Sequence, residues 1–345
     1  MCQTIMFNSG NIRGLKLKNR FIRSATAEFI ANDEDGTITQ EYHSLYSNLA
    51  LGEVGLIIQG HLYVMDEGKA HPNMAGIAHD MHITGLKQIT DLVHEAGGLI
   101  TAQLNHGGSH SVSTKTASLQ ENKEVKIMSE DDIENVINGF GDAASRTKKA
   151  GYDAAQIHSA HGYLLSQFLS NKTNKRTDSW GGSLENRAQF LLSVYHTIRS
   201  AVGSNFPVLI KMNGSDDPID GFTVEEGSKV ARWLANEGLD ALEVSGMKST
   251  RPVKVESEGY FVPTGRKIKQ HIGDVPLILV GGFRSLSQMQ ELRDEFVDFI
   301  SLCRPFIREP DLVQKFRLGK ERADCISCNR CLKERIVTKC LELEE

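Results

Sequence analysis

The sequence contains no apolar run approaching the roughly 18 residues that a membrane span requires, which excludes a helical membrane protein. Its opening residues, Met1-Cys-Gln-Thr-Ile5, lack the basic start and apolar stretch of a secretory signal. There is no surplus of positive charge: the formal net charge is −5, with a pI near 6.2. That balance argues against a surface built for nucleic acid or another polyanion. No low-complexity linker interrupts the chain, and no Gly-x-Gly-x-x-Gly turn follows its first strand-like run. Together these absences point to a cytoplasmic protein whose partner is a small molecule, with homo-oligomeric assembly left open.

Cysteine is scarce as well, at 6 of 345 residues. A core of this size needs no disulfide staples. Cys2 and Cys303 stand alone, whereas Cys325, Cys328, Cys331 and Cys340 crowd into the tail. In a reducing compartment such a group suggests a metal rather than disulfides.

What the chain does have is repetition. Apolar runs of strand length read Arg20–Thr26, Val54–Gly60, Leu99–Leu104, Tyr152–His158, Val208–Met212, Ala241–Ser245, Pro276–Val280 and Val297–Leu302. Several are apolar almost throughout rather than alternating, as strands buried on both faces should be. Helix punctuation separates them. Thr39 opens one helix that closes near Gly52, and Gly97-Gly98 stops another that begins near Asp80. Ser129, with Asp132 three positions on, has the spacing of a capping box, and Ser183, Thr223 and Ser285 open three more helices. Eight strand-then-helix units favour a closed (β/α)8 TIM barrel over a doubly wound sheet. We expect residues 1–318 to form this barrel and residues 319–345 a short cysteine-containing extension. The polar stretch Gly107 to Glu130 reads as an excursion from the third strand.

In such barrels the active site gathers at the C-terminal ends of the strands. That rule selects Thr26, Gln103, His158, His161, Lys211, Gly281-Gly282 and Arg304 as candidates.

The segment His158-Ser-Ala-His161-Gly-Tyr163-Leu, with Gln167-Phe-Leu-Ser and Asn174-Lys-Arg-Thr-Asp-Ser-Trp-Gly-Gly-Ser-Leu-Glu-Asn-Arg187 after it, closely resembles the Old Yellow Enzyme family of NADH:flavin oxidoreductases. Shorter matches follow in order: Leu17–Arg20, Gly52–Ile58, Gln103–Gly108, Val280–Arg284 and Ser301–Phe306. The resemblance covers roughly residues 5 to 318 and implies FMN as cofactor with NAD(P)H as co-substrate. It assigns Ala25, Thr26, Gly60, Gln103, Lys211, Gly281, Gly282, Cys303 and Arg304 to the flavin. Gln103 would bond the pyrimidine edge, and Lys211 falls where many relatives carry arginine near N1 and O2. A cation there stabilises charge on the reduced ring, although lysine lacks arginine's fork. Gly281-Gly282 and Arg304 match the phosphate site.

The resemblance also implies a reaction. His158 and His161 would hold the oxygen of an unsaturated acceptor, an enone, enal or nitroalkene, above the ring. Tyr163 would protonate the carbon next to the one that takes the hydride. The whole would run as an ene-reductase by ping-pong exchange. The tail, Cys325-Ile-Ser-Cys328-Asn-Arg-Cys331 with Cys340, is similar to the iron–sulfur segment of dienoyl-CoA reductase and trimethylamine dehydrogenase relatives, with shorter gaps. Four thiolates can hold a [4Fe–4S] cluster or tetrahedral zinc, and an unmetallated tail stays open beside them. Two other readings also stay open: an electron-transfer or demethylase-like flavoprotein, and a flavin-free barrel lyase using Lys211 as a Schiff base.

Overall fold

Short strands whose side chains are buried on both faces can be stable only if they are covered within and without, and a closed ring of them inside a ring of helices does this. The computed structural model, which describes residues 5–112, 127–216, 220–247, 257–336 and 338–343, has this arrangement. A hairpin, β1 (Gly10–Ile12) and β2 (Leu15–Leu17), comes first. Strand β3 (Phe21–Arg23) leads to α1 (Gln40–Leu51), and β4 (Leu56–Ile58) is followed by a two-residue strand, β5 (Leu62–Tyr63), and α2 (His82–Glu95). Next come β6 (Ile100–Asn105), α3 (Glu130–Lys149), β7 (Ala154–Ser159), α4 (Leu164–Leu169) and α5 (Leu184–Val202). The second half adds β8 (Val208–Asn213), α6 (Val224–Asn236), β9 (Ala241–Ser245), α7 (Val262–Lys269), β10 (Leu277–Val280) and α8 (Leu286–Glu295). It ends with β11 (Phe299–Leu302), α9 (Arg304–Arg308), α10 (Leu312–Arg317) and α11 (Arg330–Lys333).

Parallel pairing runs from β4 through β3, β11, β10, β9, β8 and β7 to β6, and β6 pairs back onto β4. The ring is therefore closed, an eight-stranded (β/α)8 barrel as the sequence leads one to expect. All eight expected strands are found. The hairpin and β5 are not among them. The hairpin turns on Arg13 and Gly14, both at positive φ (40° and 79°), and an arginine at such a turn gives little sequence warning.

The helices begin where capping chemistry allows. Ser129 and Asp132 form the expected capping box on α3, Thr223 and Glu226 form another on α6, and Ser183 accepts from the Asn186 amide on α5. Two expected caps are corrected. Thr39 precedes α1, but its hydroxyl donates to the Ile30 carbonyl (2.7 Å), and the Ser285 side chain meets Glu258 and Arg322 rather than its own helix. Among the described residues no helix is long and apolar enough to cross a membrane. Residues 113–126 of the expected excursion, and Cys2, lie outside the described residues.

Two apolar layers fix the barrel. The larger lies between strands and helices and includes Tyr46, Phe140, Phe168 and Phe190. The smaller lies inside the barrel's N-terminal end, where Ile12 and Leu17 from the hairpin meet Ile22, Leu56, Leu209 and Phe299. The hairpin thus stoppers the lower end. Polar residues are concentrated above it.

Candidate active site

Strand register decides which polar side chains meet. β6 and β7 pair Gln103 with Gln156, β7 and β8 pair His158 with Lys211, and β8 and β9 pair Lys211 with Glu243. The result is a continuous buried network across the barrel. Gln103 Nε2 donates to Gln156 Oε1 (2.7 Å), and Gln156 Nε2 donates to Glu243 Oε2 (2.9 Å). The other carboxylate oxygen of Glu243 accepts from Ser24 Oγ (2.7 Å), Ser301 Oγ (2.9 Å) and Lys211 Nζ (3.1 Å). Lys211 also donates to Ser24 Oγ at 2.6 Å. Burial alone would raise the Glu243 carboxyl, but Lys211 and the bonds from Ser24 and Gln156 hold it below its ordinary value. Glu243, Gln156, Ser24 and Ser301 escape sequence reasoning. The available signal is one carboxylate in an otherwise apolar strand, Ala-Leu-Glu-Val-Ser.

A second buried ionic group braces the first two strand ends. Glu28 Oε1 accepts from Tyr46 OH (2.5 Å), the Gly60 amide (2.8 Å) and Arg23 Nη1 (3.4 Å), and Arg23 also donates to the Ile58 carbonyl (2.9 Å). A side chain at Gly60 would put its Cβ 1.9 Å from Glu28 Oε2 and 2.4 Å from the Thr26 carbonyl. Glycine is required there by this packing.

Above the network the C-terminal end of β7 gathers rings. His158 and Tyr163 have centroids 5.0 Å apart, and His158 and His161 5.1 Å apart, each pair edge-on. His161 has a positive φ of 63°, its amide donates to Asn213 Oδ1 (3.1 Å), and its Nε2 pairs with Ser245 Oγ (2.8 Å). His158 is buried, and its Nδ1 has no hydrogen-bond partner. His61, which the sequence did not single out, sits 5.1 Å from Tyr163 and pairs with His71, Nε2 to Nε2, at 3.3 Å. Asn105 Nδ2 approaches the other nitrogen of His61, also at 3.3 Å.

His61, His71 and His158 are neutral near pH 7. Burial, and then the neighbouring His71, pulls His61 down to about 3, and burial with Arg335 and Lys69 pulls His71 down to about 4. His158 falls well below its ordinary 6.5 through burial, then His161, His61 and Lys211. Burial raises the Tyr163 phenol to about 12, against a lowering pull from Arg335. The mouth therefore presents uncharged donors and a phenol that keeps its proton.

The remaining candidates lie at the ends of β3, β10 and β11. Ala25 packs against the inner apolar layer, and Thr26 Oγ1 lies 3.0 Å from both Cys303 Sγ and the Ser24 carbonyl. Gly282 has φ 75°, and a Cβ on it would meet Tyr260 at 2.6 Å. The Gly281 carbonyl accepts from the Gly259 amide (2.7 Å). Arg304 turns toward the tail, where its Nη1 donates to Asn329 Oδ1 (2.6 Å).

Arg304 helps line a pocket with Ile307, Arg308, Cys325, Cys328, Cys331 and Cys340. Arg308 Nη1 reaches Cys340 Sγ at 3.6 Å, and burial, with the neighbouring thiols, raises Cys331 to about 12. Among the described residues no three His, Cys, Asp or Glu side chains stand where one ion could hold them. A mononuclear zinc site brings its sulfurs within about 3.8 Å of one another, given Zn–S bonds of about 2.3 Å in a tetrahedron.

A fixed amide and ammonium in the floor, with imidazoles and a phenol above, suit a flat ring with polar edges. The comparisons point the same way. The model of the NADH:flavin oxidoreductase / NADH oxidase family matches residues 6–323. NADPH dehydrogenase of Geobacillus thermodenitrificans is 34% identical over 89% of the chain and 92% of its own length. NADH oxidase of Thermoanaerobacter brockii is 31% identical over 94% of the chain but 52% of its own length, so this chain spans about half of that relative. Among solved structures, morphinone reductase is 26% identical with a TM-score of 0.80, over 93% of this chain and 91% of its own. Histamine dehydrogenase of Rhizobium sp. 4-9 is also 26% identical, with a TM-score of 0.85, over 97% of this chain and 51% of its own.

Proposed function

Because the chain belongs to the NADH:flavin oxidoreductase / NADH oxidase family, whose members are FMN-dependent oxidoreductases, we propose that it is an ene-reductase. It would use NAD(P)H to reduce the activated C=C bond of α,β-unsaturated carbonyl compounds or related acceptors. The observation that carries this reading is the cluster of His158, His161 and Tyr163 rings, about 5 Å apart at the end of β7, with an unpartnered buried nitrogen on His158.

FMN would be held by Gln103 and Lys211 at its ring, by Ala25, Thr26, Gly60 and Cys303 around its edge, and by Gly281, Gly282 and Arg304 at its phosphate. When bound, it would accept a hydride from the nicotinamide and give it to the acceptor. The chain's own residues do the rest. Lys211, fixed by Glu243 and Ser24, supplies a stationary positive charge in the floor. His158 and His161 donate to the acceptor's oxygen and so polarise its double bond. Tyr163, a phenol that retains its proton up to about pH 12, delivers that proton to carbon as the hydride arrives on the other face.

The same engagement of Lys211 disfavours a Schiff-base lyase. Its ammonium is tied to Glu243 and Ser24, an arrangement suited to a fixed cation and not to a nucleophilic amine. The tail, residues 319–345, we read as a separate cysteine module beyond the barrel. Four thiols lining one pocket are a donor set that a [4Fe–4S] cluster would take. An iron assay with an absorbance spectrum of anaerobically purified protein tests flavin and cluster together.

The decisive experiment separates the half-reactions. The protein should be yellow, be bleached anaerobically by NADH or NADPH, and regain colour with cyclohexenone. Tyr163→Phe should leave bleaching within about twofold while slowing re-oxidation by about a hundredfold, the scale of a lost general acid. Equal loss in both halves would remove Tyr163 from the proton-donor role.

A further inference from the structure

The tail returns to the mouth of the barrel. Arg335 lies in the loop between Cys331 and Cys340, and its own backbone is held at φ 56°. Its guanidinium carbon stands 5.4 Å from the centre of the Phe29 ring. Phe29, itself at φ 57°, packs 4.3 Å from His71, which meets His61, whose ring is 5.1 Å from Tyr163. The positive charge of Arg335 is felt at both His71 and Tyr163.

The charges around it are unequal. Among the described residues Arg335 has no carboxylate within 4.0 Å and no side-chain hydrogen bond. Lys69, the other cation acting on His71, donates to the Asp33 carbonyl (2.7 Å). The buried carboxylates beneath are committed elsewhere, Glu28 to Arg23, Tyr46 and Gly60, and Glu243 to the floor network. His61, His71 and His158 are neutral, and Tyr163 is protonated. Among the described residues, then, a cation with no anion beside it borders a mouth whose His61, His71 and His158 are uncharged.

We propose that Arg335 is a specificity-determining residue that receives a carboxylate, or an equivalent anionic group, carried by the acceptor beyond its reacting double bond. The inference rests on the acceptor site described under the proposed function and narrows its substrates to anionic ones. A guanidinium backed by an aromatic face is well suited to this, since the ring covers one face of its plane and leaves the N–H edge to the ligand. Because Arg335 sits between two of the tail cysteines, the conformation of that loop also sets whether the anion is met.

The test compares (E)-6-oxohept-4-enoate with its methyl ester as oxidants of the NADH-reduced holoenzyme in stopped flow. The native protein should favour the acid, as the ratio of kcat/KM. Arg335→Gln should lower that ratio by about ten- to a hundredfold, the range for a hydrogen bond to a charged group. Arg335→Lys should restore part of it and Arg335→Glu should invert it, while Lys333→Gln, an equal change in net charge nearby, should shift it by less than about twofold. An unchanged ratio in Arg335→Gln overturns the proposal. So does a change confined to the KM for NADH or NADPH, which would assign the guanidinium to the nicotinamide's phosphates. If cyclohexenone too fails to re-oxidise a flavin that NADH reduces, the acceptor reading itself fails and this inference with it.

Discussion

Replacing Glu243 by glutamine keeps the shape of the side chain and removes its charge, which leaves the Lys211 ammonium buried in the barrel without a counter-ion. Glu243 is fully buried, and Lys211 is 2% exposed. Stranding one member of such a pair costs about 3–5 kcal/mol. For a chain of 345 residues the unfolding entropy is about 0.7 kcal/mol/K, so the midpoint should fall by about 4–7 °C. Lys211→Met alone should cost a similar amount, because it strands the carboxylate instead. The double variant, Glu243→Gln with Lys211→Met, should be more stable than either single one, recovering about 2 kcal/mol or more, since neither charge remains. Far-UV circular dichroism melts of flavin-free protein measure all four corners of the cycle without ligand linkage. If the two single losses simply add, the pair is not coupled and the reasoning about the floor is wrong. The pH dependence gives a second check. The folded carboxyl lies below its ordinary 4.5, so its contribution is complete above that value and is lost as pH falls through the lowered one.

The imidazoles should make the fold acid-sensitive at higher pH. His106 is held down to about 4 by burial, so between about pH 6.5 and 4 the unfolded chain takes up a proton that the folded one refuses. Stability should therefore drop on acidification by up to about 1.4 kcal/mol per pH unit from this residue, and His106→Gln should flatten urea midpoints measured at pH 6 and pH 4.5 by that amount. An unchanged slope would mean that His106 is not buried neutral. Gly60→Ala should lower the thermal midpoint by several degrees and weaken FMN retention on gel filtration, because its methyl would overlap Glu28 and the Thr26 carbonyl. Native-like retention and stability would show that the strand end can yield.

The fold was legible because the apolar runs of a parallel barrel are short, repeated and separated by helix signals. All eight strands could be placed for that reason. The hairpin could not, since Gly10 to Leu17 carries three-residue strands and an arginine in its turn. The ring cluster of His158, His161 and Tyr163 was legible as a local motif. The floor was not. Gln156, Ser24, Ser301 and Glu243 come from four strand units and meet through register, which a linear reading does not give. His61 and His71 were missed for a related reason: they approach the site from the segment after β4, ten positions apart and without a motif. Arg335 carries no motif either, and only the path of the tail brings it to Phe29.

The hairpin at the other end of the barrel has a kinetic implication. With Ile12 and Leu17 wedged among the inner strand residues, the barrel is a cup and not a tube. A visitor to the rim cannot be pushed through from beneath, and must back out by the route it entered. Two molecules that need the same seat must then take turns, and the lingering of the first sets the pace for the second.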